Sequence, residues 1–301
     1  MAVVPLAGQG ARREPSPRGD CVTLDFTSAD GLRLHVHEWL PSGEPRGIVQ
    51  FSHGMGEHGG LYSEFAAELT RHGYAFYVHD HRGHGRSAQN GFGHLGVDGW
   101  NRLVSDLRAL AETLHRRHPR LPLVLIGHSM GSYAVQQLLL GHADLLAGAV
   151  LMGTTALDGL AARLEHESDR LGFYNAPFQP VRTPFDWLSR DAAFVDAFIA
   201  DPLCAASLDG DGLKDMYAAA PRLAAPATGA SRIPLCVMVG DQDPLNLGLT
   251  LSDLLVRRYR RAGLTDIVYR TYPGARHHLL NETNGDEITA ELIAWIIRVT
   301  G

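Results

Sequence analysis

Between residues 47 and 156, short apolar runs alternate with longer stretches in which apolar side chains recur every three or four positions. The runs at 47–51, 75–78, 123–126 and 147–152 predict strands. The unbroken Leu123-Val124-Leu125-Ile126 suits a strand buried on both faces of a parallel sheet. The stretches at 61–72 and 100–118 predict helices; Gly73 ends the first, and the second carries Leu103, Leu107, Leu110 and Leu114 on one face. Another helix starts at Ser129 and runs to about residue 140. Upstream, residues 21–28 and 31–40 alternate apolar and polar around Ala29-Asp30-Gly31, which predicts an antiparallel hairpin. The alternation of strand and helix breaks after residue 156. Residues 157–228 hold few strand signals, several prolines and many aromatics. It resumes with a strand at 235–239, a helix at 249–262, a strand at 267–272 and a helix at 286–299. The expected fold class is α/β: a doubly wound, mostly parallel sheet formed by 21–156 and 229–301, a mostly helical lid at 157–228, and a loose tail at 1–20.

Composition narrows the function classes. A formal charge of −6 on 301 residues, with no basic stripe, argues against nucleic acid as a partner. Cys21, Cys204 and Cys236 are too few and too scattered for a disulfide framework or a cysteine metal site. No run approaches the roughly 18 apolar residues of a membrane span, and the first ten residues lack a basic signal-peptide start. The expectation is a cytoplasmic chain. Sixteen histidines raise the question of a metal, but His79, His81 and His84 lie on a Gly/Arg-rich turn without a helical His-x-x-x-His spacing. No metal and no cofactor are expected.

The chemistry concentrates at the ends of predicted strands. Gly127-His128-Ser129-Met130-Gly131 fits G-x-S-x-G, directly after a buried strand and directly before a helix. A serine there sits on a sharp, strained turn that projects its hydroxyl, and its neighbours two before and two after must be small. His53-Gly54-Met55-Gly56-Glu57-His58 follows the strand ending at Phe51, where glycines let backbone N–H groups approach a substrate. The amides of Met55 and Met130 are the expected oxyanion donors. A serine nucleophile needs a base and an orienting acid, in the order Ser, Asp/Glu, His. The strand at 235–239 ends in Gly240-Asp241-Gln242-Asp243, and the strand at 267–272 leads to His277-His278. Asp243 is preferred to Asp241, because the acid usually sits a few residues past the strand, and His277 is preferred to His278. The run His79-Asp80-His81-Arg82-Gly83-His84-Gly85 reads as a structural loop whose charged groups pair with each other, and His128 as a packed residue of the turn.

These motifs together resemble the monoacylglycerol lipase and bacterial lysophospholipase branch of the α/β-hydrolases, over about residues 22–300. The resemblance implies Ser129 as nucleophile, Asp243 as acid and His277 as base, and supports Met55 and Met130 as oxyanion donors. Within the lid, residues 182–191 look like a stretch of the lysophospholipase-like members. Two positions depart from the pattern. Ser132 stands where the family often has a second glycine, and Met55 where the lipases commonly carry a smaller residue, which is expected to narrow the acyl pocket.

The expected activity is therefore hydrolysis of a lipid-like or small acyl ester through an acyl-enzyme. Lid aromatics Phe173, Tyr174, Phe178, Phe185 and Trp187 are candidates for substrate contact, along with Phe194 and Phe198. They equally suit packing of the lid onto the core. Three other readings use the same residues: an acyltransferase or cyclase, a binding receptor on the same scaffold, and a lipase docked on a membrane. No amphipathic basic helix supports the last, so any membrane contact is expected to be transient. The pattern carries no signal for an oligomeric state.

Overall fold

Alternate side chains of the central strands enter two separate cores. A computed structural model describes residues 12–14, 21–226 and 233–301. Nine strands are present among them: β1 (Arg12–Glu14), β2 (Cys21–Thr27), β3 (Arg33–Trp39), β4 (Gly47–Ser52), β5 (Tyr74–His79), β6 (Leu123–His128), β7 (Gly148–Met152), β8 (Leu235–Gly240) and β9 (Ile267–Tyr272). Ile48, Leu123, Leu125, Leu151 and Val237 face one core; Val49, Phe51, Val124, Ile126, Val150 and Met238 face the other. This is the period-two geometry of a strand apolar on both sides.

The helices cover both faces. α1 (Ser63–Arg71) and α10 (Gly285–Thr300) bring Phe65, Leu69, Ile288, Leu292 and Trp295 to one core. α2 (Gly99–Arg117), α3 (Met130–His142) and α9 (Thr250–Arg261) bring Leu103, Leu107, Val135, Leu138 and Leu255 to the other. The sheet runs in the order β1-β2-β3-β5-β4-β6-β7-β8-β9. Its first three pairings, as far as β5, are antiparallel, and every pairing from β5 to β9 is parallel. The hairpin at 21–40 and the parallel sheet thus form as expected. Because β4 has β5 on one side and β6 on the other, the strand order reverses there. A crevice opens outside the carboxyl ends of β4 and β6, the usual ligand position in such sheets.

Between β7 and β8 the chain builds α4 (Leu157–Leu164), α5 (Arg170–Asn175), α6 (Ala192–Ala200), α7 (Gly210–Ala218) and α8 (Ala220–Leu223). These helices form an insertion at the same edge of the sheet. Arg190 pairs with Glu282 at 2.7 Å, the Leu188 carbonyl accepts from the His278 amide at 2.7 Å, and His58 bonds Asp201 at 3.0 Å. The expected boundary at 228/229 falls outside the described residues. So does most of the expected loose tail; its Arg12–Glu14 is a strand instead, because β2 otherwise presents unpaired backbone groups on that side. Among the described residues no helix is long and apolar enough to cross a membrane.

Candidate active site

Ser129 has φ 52° and ψ −122°, outside the ordinary range for a residue with a Cβ. The turn is clamped from several sides. The Ser129 amide donates to the Met152 carbonyl at 3.0 Å, and the Ser132 amide donates to the Ser129 carbonyl at 2.8 Å. The sharpness explains the glycines: a Cβ at Gly131 would lie 2.1 Å from the Ser52 carbonyl oxygen, and one at Gly127 would lie 2.6 Å from the Gly131 carbonyl oxygen. Ser132, the departure from the family pattern, has its own partners. Its hydroxyl donates to the Ser129 carbonyl at 2.6 Å and lies in hydrogen-bond contact with Thr154 Oγ1 at 2.8 Å.

The two candidate acids and the two candidate bases separate cleanly in space. Asp243 Oδ2 lies 2.8 Å from His277 Nδ1, and Asp243 Oδ1 accepts from the Leu245 amide at 3.0 Å. Asp241 instead accepts from the Gly274 amide at 2.8 Å and braces the turn after β9. His277 Nε2 is buried with no protein partner among the described residues. His278 turns away; its Nδ1 meets Asn281 at 3.1 Å, and its Nε2 is 3.7 Å from Glu57.

Ser129, His277, Met55 and Met130 all line one cavity of about 220 Å³ between the sheet edge and the insertion. Met130 opens α3, so its N–H has no acceptor within the helix. The remaining wall is mostly apolar, and Tyr174, Phe185, Trp187 and Phe198 contribute to it. Trp187 also leans on the His277 ring at 5.0 Å. The other candidate aromatics lie elsewhere. The guanidinium of Arg163 covers Phe173 at 4.3 Å, that of Arg276 covers Phe178 at 4.0 Å, and Phe194 packs on His278 at 4.7 Å. These three pack the insertion, while the first four face the cavity.

Beneath the cavity is a charged cluster that the sequence reading left out. Glu57 is buried and accepts from the Gly54 amide at 2.8 Å, from Tyr62 OH, and from His128 Nδ1 at 3.1 Å. Burial opposes ionisation of Glu57, but the charge and hydrogen bond of His128 hold its carboxyl well below the usual range. Burial likewise works against the His128 imidazolium, and Glu57 overrides it, raising the His128 pKa. Burial and the neighbouring His128 push His278 down to about 3. His128 Nε2 lies 3.4 Å from the His277 carbonyl, so the pair braces the segment that carries the candidate base. The sequence signal was the Glu within His53-Gly54-Met55-Gly56-Glu57-His58, read only for its glycines.

The loop after β5 is structural, but not as expected: its charges pair with other elements. Arg82 reaches Asp106 on α2 at 2.7 Å and Asp30 at 3.1 Å. Asp80 accepts from the Gly59 and Arg86 amides, each at 2.7 Å, and lies 3.1 Å from His37 on β3. Burial opposes the His37 imidazolium, yet Asp80 raises its pKa to about 9. A raised pKa contributes stability that is complete below the unfolded value of about 6.5 and is lost as pH rises through about 9. Thermal melts should therefore show Tm falling across that window, and falling less in His37→Gln. Among the described residues, three side-chain groups have metal-ligand chemistry: His37/His58/Asp80, Glu57/His128/His278 and His58/Asp201/Cys204. In each, hydrogen bonds within the protein already occupy the carboxylate.

Comparison with known proteins follows the same lines. A family model described as Hydrolase_4, serine aminopeptidase S33, matches residues 43–284. A monoacylglycerol lipase of Mycolicibacterium smegmatis is 31% identical over 275 residues, which cover 90% of this chain and 95% of that one. The monoglyceride lipase of Homo sapiens is 31% identical over 211 residues, covering 65% of this chain and 67% of that one. Among solved structures, a thermostable carboxyl esterase from Bacillus coagulans in complex with glycerol superposes with a TM-score of 0.80 at 26% identity, covering 93% of this chain and 98% of the other.

Proposed function

The chain belongs to the Hydrolase_4, serine aminopeptidase S33, family of α/β-hydrolases and is a serine hydrolase of carboxylic esters; from that premise we propose that it cleaves monoacyl esters of the monoacylglycerol type through Ser129, His277 and Asp243. Ser129 Oγ attacks the ester carbonyl while His277 Nε2 takes its proton. Asp243 holds the imidazole by Nδ1 and stabilises its charged form. The Met55 and Met130 amides receive the oxyanion. Collapse of the tetrahedral intermediate breaks the ester C–O bond, and His277 returns the proton to the departing alcohol. Water, deprotonated by the same base, then releases the acid from Ser129.

One observation carries the reading: Ser129 and His277 share the wall of one apolar cavity, and His277 keeps Nε2 unpartnered while Asp243 takes Nδ1. The insertion acts as the lid that selects the acyl group, with Tyr174, Phe185, Trp187 and Phe198 as its contacts. A series of glycerol monoesters from acetyl to palmitoyl tests this. The value of kcat/KM should rise about threefold to fourfold per methylene until the cavity is filled. Equal values along the series would contradict an acyl-binding role.

A further inference from the structure

We propose that Arg170 and Tyr217 form a subsite for an anionic oxyacid group, phosphate or carboxylate, carried by the ester substrate. The inference rests on the cavity being the ester site. Arg170, at the start of α5, lines that cavity and is only half-buried. Among the described residues no carboxylate pairs with it. Its neighbours in the insertion differ: Arg163, Arg182 and Arg190 pair with Glu167, Asp196 and Glu282. A half-exposed guanidinium at an apolar wall with no protein counter-ion is open to an anionic ligand.

Tyr217 stands beside that cation: the guanidinium carbon sits 5.5 Å from the centre of its ring, a cation–π contact, and among the described residues no carboxylate takes the planar N–H edge. Such an edge matches the paired oxygens of a phosphate or carboxylate. Tyr217 and Tyr174 also line the cavity, and burial pushes both phenols above their ordinary pKa. As phenols, protonated at neutral pH with or without that shift, both bring O–H donors rather than negative charge to the wall. The acid in the wall does not cancel this field, because Glu57 is already neutralised by His128 and bonded to Gly54 and Tyr62.

Three glycerol esters of matched acyl length test the subsite: neutral 1-oleoylglycerol, 1-oleoylglycerol 3-phosphate, and a glycerol monoester whose acyl chain ends in a carboxylate. The phosphate arm places the anion on the leaving alcohol, and the carboxylate arm places it on the acyl chain. The readout is the ratio of kcat/KM, anionic over neutral. In Arg170→Gln that ratio should fall about fivefold to tenfold for at least one arm, and Arg170→Lys should restore most of it. Tyr217→Phe, which keeps the ring but removes the hydroxyl, should lower the same arm by a smaller factor. Ratios unchanged in Arg170→Gln on both arms, with all three esters turned over, would overturn the subsite and leave the proposed function intact. No turnover of any of the three would overturn both.

Discussion

Ser129→Ala should lower kcat on any carboxylic ester by about 10⁴-fold or more, with a far smaller change in KM. In the proposed mechanism the hydroxyl forms the covalent bond, whereas ground-state binding would rest on the apolar cavity walls contributed by Tyr174, Phe185, Trp187 and Phe198. Removing one oxygen leaves those walls in place. His277→Ala should cost about as much, and the double variant little more than either single one, because nucleophile and base act as a unit. Asp243→Asn should cost about 10⁴-fold, since an amide at the 2.8 Å contact with His277 Nδ1 favours the wrong tautomer. Single-turnover and steady-state kinetics on one ester check all four. A multiplicative loss in the double variant would mean that the two groups act independently.

Glu57→Ala should destabilise the fold by about 3–5 kcal/mol, the cost of breaking a buried ion pair from one side. The lost carboxylate leaves the His128 imidazolium, Tyr62 OH and the Gly54 amide without their acceptor, all of them in the interior. Urea unfolding at neutral pH measures it. The pair also predicts two opposite pH limits. Glu57 has a depressed folded pKa, so its share of stability is present above the unfolded value of about 4.3 and is lost as pH falls through the folded one. His128 has a raised folded pKa, so its share is present below about 6.5 and is lost as pH rises through the folded one. Stability attributable to the pair therefore peaks at mildly acidic pH, and the peak should be absent in Glu57→Ala. Activity should fall as well, because His128 braces the His277 segment through its carbonyl.

Much of this was legible in the sequence, for physical reasons. Strands such as Leu123–His128 are buried on both faces, so an unbroken apolar run has one sensible reading. The strained turn at Ser129 demands glycines at 127 and 131, which makes the proposed nucleophile visible as a pattern. The proposed acid and base were narrowed by position after a strand and chosen only by family resemblance. Their separation rests on contacts no local pattern carries: Asp241 on the Gly274 amide, His278 beside Asn281 and Glu57. Long-range partners were the main loss. Arg82 finds Asp106 and Asp30, and Asp80 finds His37, because folding brings α2, β3 and the β5 loop together. Arg170 gave no signal at all, since an arginine at the start of a short helix has no local mark that it will face a cavity.

The most direct test of the account is intact-protein and peptide mass spectrometry after treatment with a fluorophosphonate, which phosphonylates only an activated serine. The predicted result is one adduct per chain, on the peptide holding Gly127-His128-Ser129-Met130-Gly131, and none in Ser129→Ala. A chain that hydrolyses esters yet carries no adduct at Ser129, or an equal adduct in Ser129→Ala, would contradict it.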